Sequence, residues 1–476
     1  MVVCGACRST ITRDADAARR VGHMAELVED GSIVQVGTRG RAGALGFHVL
    51  GRLRLQYDTG AWNEWYIAFD DGEHGWLSDG DALYAITRRD EKIDTSLLPG
   101  FEELRAGGPV KVGGTLYTVS DVRPRSRCIG GEGELPLQTG EGWGARVVDA
   151  RRESAFVTID YSDAAPVVYT GTTSAIEFDA GTLRTQDDVV ATAGRYRGQT
   201  LALDCPNCAG AVSIAVAMAT QVVCPSCSSL LDCSGDRAEI IEANKRVARF
   251  QTTIPLGARG KIGDTEYDVI GIMRCDVPDV AAEPDWIEYL LFNPRRGYLW
   301  LVETQEGWQR VTVCDEWPVL TGDLTARWGR RTFGRTYAYA SRVEQVFGAF
   351  NWRVRRGDTS QITDFVSNTD TLTREQSGDE VVWSHSVRMS AATIARAFGL
   401  PELREASRAL PETARSKVRT DEEDEGLAFI AVGATLLLFL LSGEITTVAL
   451  FFGIALIWAP LVMTGQIRAL FGGADS

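Results

Sequence analysis

The sequence repeats itself at a distance of 220 residues, and this duplication constrains the fold more than any other feature. The stretch VVCGACRST begins at Val2, and VVCPSCSSL begins at Val222, which is 220 positions later. The same distance separates GTRGRAGALGFHVLG at 37–51 from GARGKIGDTEYDVIG at 257–271. The repeat distance then grows by four residues, so that WNEWYIAF in the first copy matches WIEYLLFN in the second copy. We therefore expect two tandem copies of one unit, each made of a cysteine-containing segment and a larger domain.

Alternating apolar and polar residues predict strands through most of the chain. WNEWYIAF and FVTIDY alternate with period two, and Asp71-Gly72 can form a hairpin turn. A shorter repeat, KVGGTLYTV at 111–119 and KIGDTEYDV at 261–269, indicates two related halves in each domain. Helical pattern is scarce before Ser390, a helix N-cap residue. We predict a mainly β fold with two tandem β domains (short-stranded sheets or partly open barrels), a zinc ribbon between them and a C-terminal α-helical transmembrane hairpin.

These signals divide the chain into seven segments. The predicted segments are a partial zinc-ribbon remnant at 1–28, a first β domain at 29–190, a zinc ribbon at 200–235, a second β domain at 236–400, a helical and acidic linker at 401–425, a transmembrane hairpin at 426–465 and a cytoplasmic tail at 466–476.

Two Cys-x-x-Cys pairs predict a metal site. Cys205 and Cys208 form the first pair, Cys224 and Cys227 form the second pair, and fifteen residues lie between the two pairs. Four thiolates at this spacing complete the tetrahedral coordination of Zn²⁺, whereas a catalytic zinc keeps one position open. We therefore predict a structural zinc as the cofactor, and we interpret Cys233 as a bystander.

Cys4 and Cys7 match only the second of these pairs, so the first copy carries half of a metal site. By analogy the missing pair belongs about fifteen residues before Cys4, where the second copy has its own first pair. Three interpretations stay open: a start placed too late, a degraded site, or two chains that share one ion. We expect Cys4 and Cys7 to bind little metal in this chain.

Two long apolar segments near the end of the chain predict a membrane hairpin. The segments cover 427–442 and 445–464, and the second is long enough to cross a bilayer core of about 30 Å. Basic residues flank the hairpin, whereas the turn at 442–444 has none. The positive-inside rule then places both ends in the cytoplasm. The expected localisation is the inner membrane, double-pass, with the lipid bilayer as one partner and most of the chain cytoplasmic.

Several stretches resemble the bacterial domain-of-unknown-function family numbered 4178. The resemblance is carried by GFHVLGRLRLQYDTGAWNEWYIAFDDGEHGWLS, by GELP with FVTIDY, and by GAFNW with EVVWS. It implies two tandem domains, at roughly 28–180 and 245–400, a zinc ribbon and a C-terminal membrane hairpin. The family's glutamate after glycine is replaced by Ala349 in the second copy. The resemblance implies no activity, although polyamine enzymes are expected among the neighbouring genes.

Aromatic residues and one carboxylate are the candidate ligand-binding residues. Glu64 lies between Trp62 and Trp65, and Trp76 follows in Gly-Trp-Leu. Two interpretations of Glu64 stay open: a general base in an aromatic pocket, together with Glu134 or His74, or a side chain that faces solvent on a half-buried strand. No nucleophile, base or phosphate-loop motif accompanies them, so we predict no catalytic residue.

Charge excludes one class of partner and leaves two hypotheses. The net charge of -15 and the pI of about 4.9 argue against nucleic-acid binding, which needs clustered Lys and Arg. The first hypothesis is a membrane-tethered interaction or scaffold protein that recruits an unidentified protein partner at the cytoplasmic face. The alternative is a protein or enzyme that binds a small ligand, such as a polyamine, through cation–π contacts and carboxylates.

Overall fold

The computed structural model describes residues 2–3, 9–14, 17–23, 31–57, 60–80, 83–136, 144–185, 187–188, 195–196, 199–200, 203–209, 211–212, 221–224, 227, 229–232, 239–242, 252–278 and 285–400. All of them belong to one compact unit, Met1–Arg415.

Strands dominate the first half of the chain. The N-terminal strands are β1 (Val2–Val3), β2 (Ser9–Asp14) and β3 (Ala17–His23). The first domain contains β4 (Arg39–Ala42), β5 (Leu45–Gln56), β6 (Ala61–Phe69), β7 (His74–Gly80), β8 (Leu83–Arg89), β9 (Pro109–Val112), β10 (Thr115–Glu134), β11 (Gly144–Arg152), β12 (Ala155–Asp160), β13 (Val167–Thr172) and β14 (Ile176–Phe178), with 3-10 turns at Thr95–Leu97 and Phe101–Glu103.

The second half repeats this pattern and ends in a helix. Between the domains lie β15 (Arg195–Tyr196), β16 (Gln199–Thr200), β17 (Leu203–Asp204), β18 (Ala211–Val212), β19 (Gln221–Val223), β20 (Leu230–Asp232) and β21 (Glu239–Glu242). The second domain contains β22 (Arg259–Ile262), β23 (Thr265–Asp276), β24 (Trp286–Asn293), β25 (Gly297–Thr304), β26 (Gly307–Val313), β27 (Val319–Leu320), β28 (Thr325–Trp328), β29 (Arg331–Phe350), β30 (Thr359–Ser367), β31 (Asp370–Ser377), β32 (Glu380–Met389) and the helix α1 (Ala391–Phe398).

Each domain is built on a closed antiparallel ring of eight strands. In the first ring the order is β5, β6, β7, β8, β13, β12, β11 and β10, and β10 pairs again with β5. In the second ring the order is β23, β24, β25, β26, β32, β31, β30 and β29, and β29 pairs again with β23. The prediction of a mainly β fold with two tandem domains is confirmed. The sheets close rather than staying partly open, and closure leaves the ring strands without free edges.

One long strand in each domain, rather than only short ones, joins the two related halves. β10 and β29 each run for 20 residues and carry register shifts that bend them. Where β10 meets β5, Gly133 has a φ of +73°, and a Cβ there would collide with the carbonyl oxygen of Leu50. Gly348 has a φ of +86° at the same point of the second ring. Glycine is required at this crossing because its missing Cβ allows both the left-handed backbone and the close approach.

Hydrophobic clusters lie on both faces of the rings, and the clusters on the outer faces are covered by elements outside the rings. In the first ring one core centres on Trp65, and Val34 packs onto it from outside the ring. The other centres on Val148, and Phe101 packs onto it from a 3-10 turn. In the second ring Ile394 of α1 packs onto the equivalent core. Ser390 caps this helix by accepting a hydrogen bond from the Thr393 amide, as predicted from the sequence. The elements outside the rings therefore cover the apolar outer faces, while the inner faces combine smaller apolar clusters with polar side chains.

The duplication extends to the cysteine-containing segments. β19 pairs with β29 through Val222 and Ala349, and β1 pairs with β10 through Val2 and Glu134. In both copies the segment continues into two further antiparallel strands, β2 and β3 or β20 and β21. The N-terminal segment therefore pairs with the first ring through β1, in the same way that the second half of the ribbon pairs with the second ring through β19.

The membrane predictions need correction. In the part of the chain that the structure describes, no helix is long and apolar enough to cross a membrane. Its helix α1 has eight residues, which gives about 12 Å at 1.5 Å per residue, against about 30 Å of bilayer core. The inner-membrane, double-pass assignment is therefore wrong for the chain as described. The predicted hairpin at 426–465, the linker at 401–425 and the tail at 466–476 lie outside the described residues.

Candidate functional site

The four predicted cysteine ligands converge on one point between the two domains. The sulfur atoms of Cys205 and Cys227 lie 3.6 Å apart, and those of Cys208 and Cys224 lie 3.7 Å apart. All four sulfur atoms lie within 4.8 Å of one another. A tetrahedral zinc with Zn–S bonds of about 2.3 Å requires S···S edges of about 3.8 Å. The cysteines therefore fit one Zn²⁺ ion, and four protein ligands leave no open position for catalysis.

Polar side chains around the cysteines orient the sulfur atoms. The Asn207 side-chain amide lies 3.5 Å from the Cys227 sulfur and donates to the Ser229 hydroxyl at 2.8 Å. The Ser229 hydroxyl lies 3.2 Å from the same sulfur, and this contact lowers the pKa of Cys227 to about 6. A thiolate is the form that binds metal, so these contacts favour binding. Cys4, Cys7 and Cys233 lie outside the described residues.

A carboxylate with unusual surroundings occupies the inner face of the first ring. Glu64 on β6 accepts a hydrogen bond from the Trp62 indole N–H at 2.7 Å and from the Ser78 hydroxyl at 2.9 Å. Burial raises the pKa of Glu64 to about 7, the two hydrogen bonds oppose this shift, and the nearby Asp149 charge adds to it. Glu64 is nevertheless only half-buried. The carboxyl is thus close to half-ionised at neutral pH while it keeps contact with solvent.

Side chains from distant strands meet Glu64 across the ring. Arg123 on β10 stacks on the Trp62 and Tyr57 rings, 4.3 Å from each ring centre, and forms an ion pair with Asp121. Asp149 on β11 accepts a hydrogen bond from Thr158 at 2.7 Å, and burial raises the pKa of Asp149 to about 6. Contact between strands that are not neighbours requires side chains on the concave side of the sheet. These residues therefore line the interior of the ring.

The second ring carries a counterpart of this site. Glu288 on β24 accepts a hydrogen bond from the Trp286 indole N–H at 2.7 Å, and burial raises the pKa of Glu288 to about 7. The Glu375 carboxylate lies close enough to add to that shift. A duplicated sequence has thus produced the same indole–carboxylate pair twice.

The predicted ligand-binding residues divide between the two faces of the sheet. Trp62, Glu64 and Trp76 share the inner face, where the Trp76 ring lies 5.2 Å from that of Tyr66. Trp65 points to the other face and is fully buried in the outer core, with the Arg52 guanidinium 4.9 Å from its ring centre. Trp65 therefore supports the fold and is not available to a ligand.

The two suggested helpers of Glu64 do not reach it. His74 stacks on the Tyr66 ring at 5.3 Å, and the charge of Glu134 acts on Tyr66. The groups that act on Glu64 are instead those described above, and Asp149 and Arg123 were not predicted. One sequence signal could have found Asp149. Asp149 and Thr158 recur as Asp364 and Thr373, again nine residues apart and again hydrogen-bonded, at 2.6 Å.

Comparison with protein families finds one match, repeated within the chain. The model of the family described as "Domain of unknown function (DUF4178)" matches residues 35–174 and 255–391. These two regions coincide with the two ring domains and confirm the tandem resemblance. Comparison with curated proteins and with solved structures finds no similar protein.

Proposed function

The chain belongs to the DUF4178 family, which is defined by a domain of unknown function, and we propose from the site itself that it binds a small organic cation inside its ring domains. One observation carries this proposal: each ring presents a half-buried carboxylate, hydrogen-bonded to an indole N–H, on its inner face. Enzymatic activity is not part of the proposal, because no nucleophile–base pair accompanies the carboxylates among the described residues.

The chemistry of the inner face suits a cation. A carboxyl whose pKa is raised by burial lacks a sufficient counter-charge, and a bound ammonium or guanidinium group would supply one. The face of Trp286 offers cation–π attraction, which reaches about 2 kcal/mol when the contact is desolvated, and the Trp62 ring already makes such a contact with Arg123. A carboxyl with a raised pKa costs stability at neutral pH, and the recurrence of such a group in both rings supports a binding role.

The zinc site has a structural role in this proposal. Its four cysteines close the coordination shell, and the segment that carries Cys224 pairs with β29 of the second ring. The ion would hold the segment that joins the two domains. The recruitment of a protein partner stays a second prediction; the described surface exposes a few large apolar side chains, such as Leu97 and Leu116, that could serve it.

Calorimetric titration of the full-length chain tests the proposed function. The ligands are putrescine, spermidine and N-butylguanidinium, with 1-pentanol as a neutral control of similar length. We expect at least one cation to bind and the alcohol not to bind. The double variant Glu64→Gln, Glu288→Gln should lose the binding, whereas Glu266→Gln, at an exposed carboxylate of the second domain, should keep it. Absence of binding by every cation, or equal binding by the double variant, would refute the proposal.

A further inference from the structure

The strand pairings of the two rings can be aligned residue by residue, which allows a comparison of their inner faces. Asp121 pairs with Asp149 directly after a register shift in β10, and Tyr337 pairs with Asp364 directly after the corresponding shift in β29. Two positions further along, Arg123 in the first ring therefore corresponds to Tyr339 in the second. The threonine hydrogen bonds to Asp149 and to Asp364 support this alignment.

In the first ring a side chain of the protein already fills the place of a cation. The Arg123 guanidinium lies 4.3 Å from the centre of the Trp62 ring, and the charge of Arg123 acts on both Glu64 and Asp149. Asp121 completes its contacts through an ion pair. This ring thus shows how its indole and carboxylates hold a guanidinium group.

The second ring keeps the indole and the carboxylate but lacks this arginine. The Tyr339 ring meets the Trp286 ring edge-on, with the centres 6.1 Å apart. Tyr337 replaces Asp121, so the acid that neutralises Arg123 is absent as well. Among the described residues, the side chains that shift the pKa of Glu288 are Trp286 and Glu375, and neither is a cation.

Glu288 also has fewer hydrogen bonds than Glu64. Ser78, which donates to both oxygens of Glu64, is replaced by Val302, which faces Glu288 across the β24–β25 pair. The Trp286 indole binds only one Glu288 oxygen, Oε1. The second oxygen therefore remains available on the inner face of the second ring.

The second site is accessible to a ligand. Glu375 is exposed and Glu288 is half-buried, so solvent reaches both side chains. Cys275, which is buried, lies opposite Trp286 in the β23–β24 pair.

We propose that the second ring binds the guanidinium group of a ligand against Trp286, Glu288 and Glu375, much as the first ring holds the Arg123 guanidinium against its own indole and carboxylates. This inference rests on the proposed function and deepens it, since it assigns the ligand to one ring and to one cation class. The first ring then supports the fold, and the duplication has separated a copy that holds its own guanidinium group from a copy with Tyr339 at that position.

Calorimetric titration of full-length variants with N-butylguanidinium tests this assignment. The wild-type chain should bind one equivalent. Glu288→Gln keeps the shape of the side chain but removes a charge-assisted hydrogen bond of roughly 1.5–3 kcal/mol, so we expect a loss of affinity of about tenfold to a hundredfold. Glu266→Gln, at an exposed carboxylate of the same domain, should leave the affinity unchanged. Tyr339→Arg should abolish binding by filling the second ring, with the near-ultraviolet circular dichroism spectrum as the control for folding.

Different outcomes overturn the two proposals. Binding of spermidine but not of N-butylguanidinium would refute the guanidinium assignment and leave the proposed function intact. A loss of affinity in Glu64→Gln, with Glu288→Gln unaffected, would place the ligand in the first ring instead. If the wild-type chain binds no cation, both proposals fail.

Discussion

Replacement of Glu64 by Gln should change how the stability of the protein depends on pH. The pKa of Glu64 is raised by burial from 4.5 to about 7 in the folded state. A carboxyl with a raised folded-state pKa costs stability wherever the unfolded chain ionises more readily. The contribution of the Glu64 carboxyl to the free energy of unfolding is therefore most favourable below about pH 4.5, and it is lost as the pH rises through about 7. The neutral Gln side chain has no such dependence and can still accept the Trp62 hydrogen bond.

The size of the effect follows from the two pKa values. The pKa is 4.5 in the unfolded chain and about 7 in the folded chain. For these values, a rise from about pH 5.5 to about pH 8.5 lowers the free energy of unfolding by about 2 kcal/mol, which corresponds to about 1.5 pKa units. Glu64 is half-buried, so partial solvent access makes this an upper value. Relative to the Glu64→Gln variant, the wild-type chain should therefore lose up to about 2 kcal/mol of stability over this range.

Urea unfolding followed by tryptophan fluorescence measures this difference. Wild type and variant are compared at both pH values, so that Glu288 and all other groups cancel in the comparison. With a slope of about 2 kcal/mol per molar urea, the variant's midpoint should rise relative to wild type by up to about 1 M from the lower to the higher pH. A difference between the two midpoints that does not change with pH, or that changes in the opposite direction, would contradict a raised pKa of Glu64 in the folded state.

Three further predictions concern the zinc site and the strand crossing. Metal analysis should find one zinc per full-length chain, and Cys224→Ser should lower this content sharply; a wild-type ratio near zero in reducing buffer without chelator would contradict the prediction. Ser229→Ala should weaken zinc binding by about tenfold to a hundredfold in a competition assay with a chelator, because it removes the contact to Cys227, and an unchanged affinity would argue against that role. Gly133→Ala should lower the thermal unfolding midpoint, because the φ of +73° and the nearby Leu50 carbonyl exclude a Cβ. Gly43→Ala is the control and should lower the midpoint less, because exposed Gly43 also has a positive φ but no atom lies near the position of its Cβ. Equal losses would contradict the reasoning.

The predictions that succeeded from sequence depended on local patterns. The duplication was visible as repeated letters, and the four cysteines had the spacing that tetrahedral zinc coordination imposes. Period-two alternation correctly identified β6 and β12 as strands. The assignment of Trp65 to a ligand pocket failed because it ignored this same alternation. Two steps along a strand keep a side chain on one face, so Trp62 and Glu64 share a face that Trp65 cannot reach.

The sequence by itself determined a duplicated, mainly β chain with a four-cysteine metal site, because repeats, alternation and ligand spacing are local properties of the chain. Only the tertiary structure decided that eight strands close into a ring in each copy, since closure depends on pairing between distant strands such as β10 and β5. The ring brings Arg123 and Asp149 to Glu64, and these residues lie 59 and 85 positions away along the sequence. The tertiary structure also decided how the two sites differ. The register of the folded sheet, and not the distance along the chain, places Tyr339 in the second ring where the first ring has Arg123.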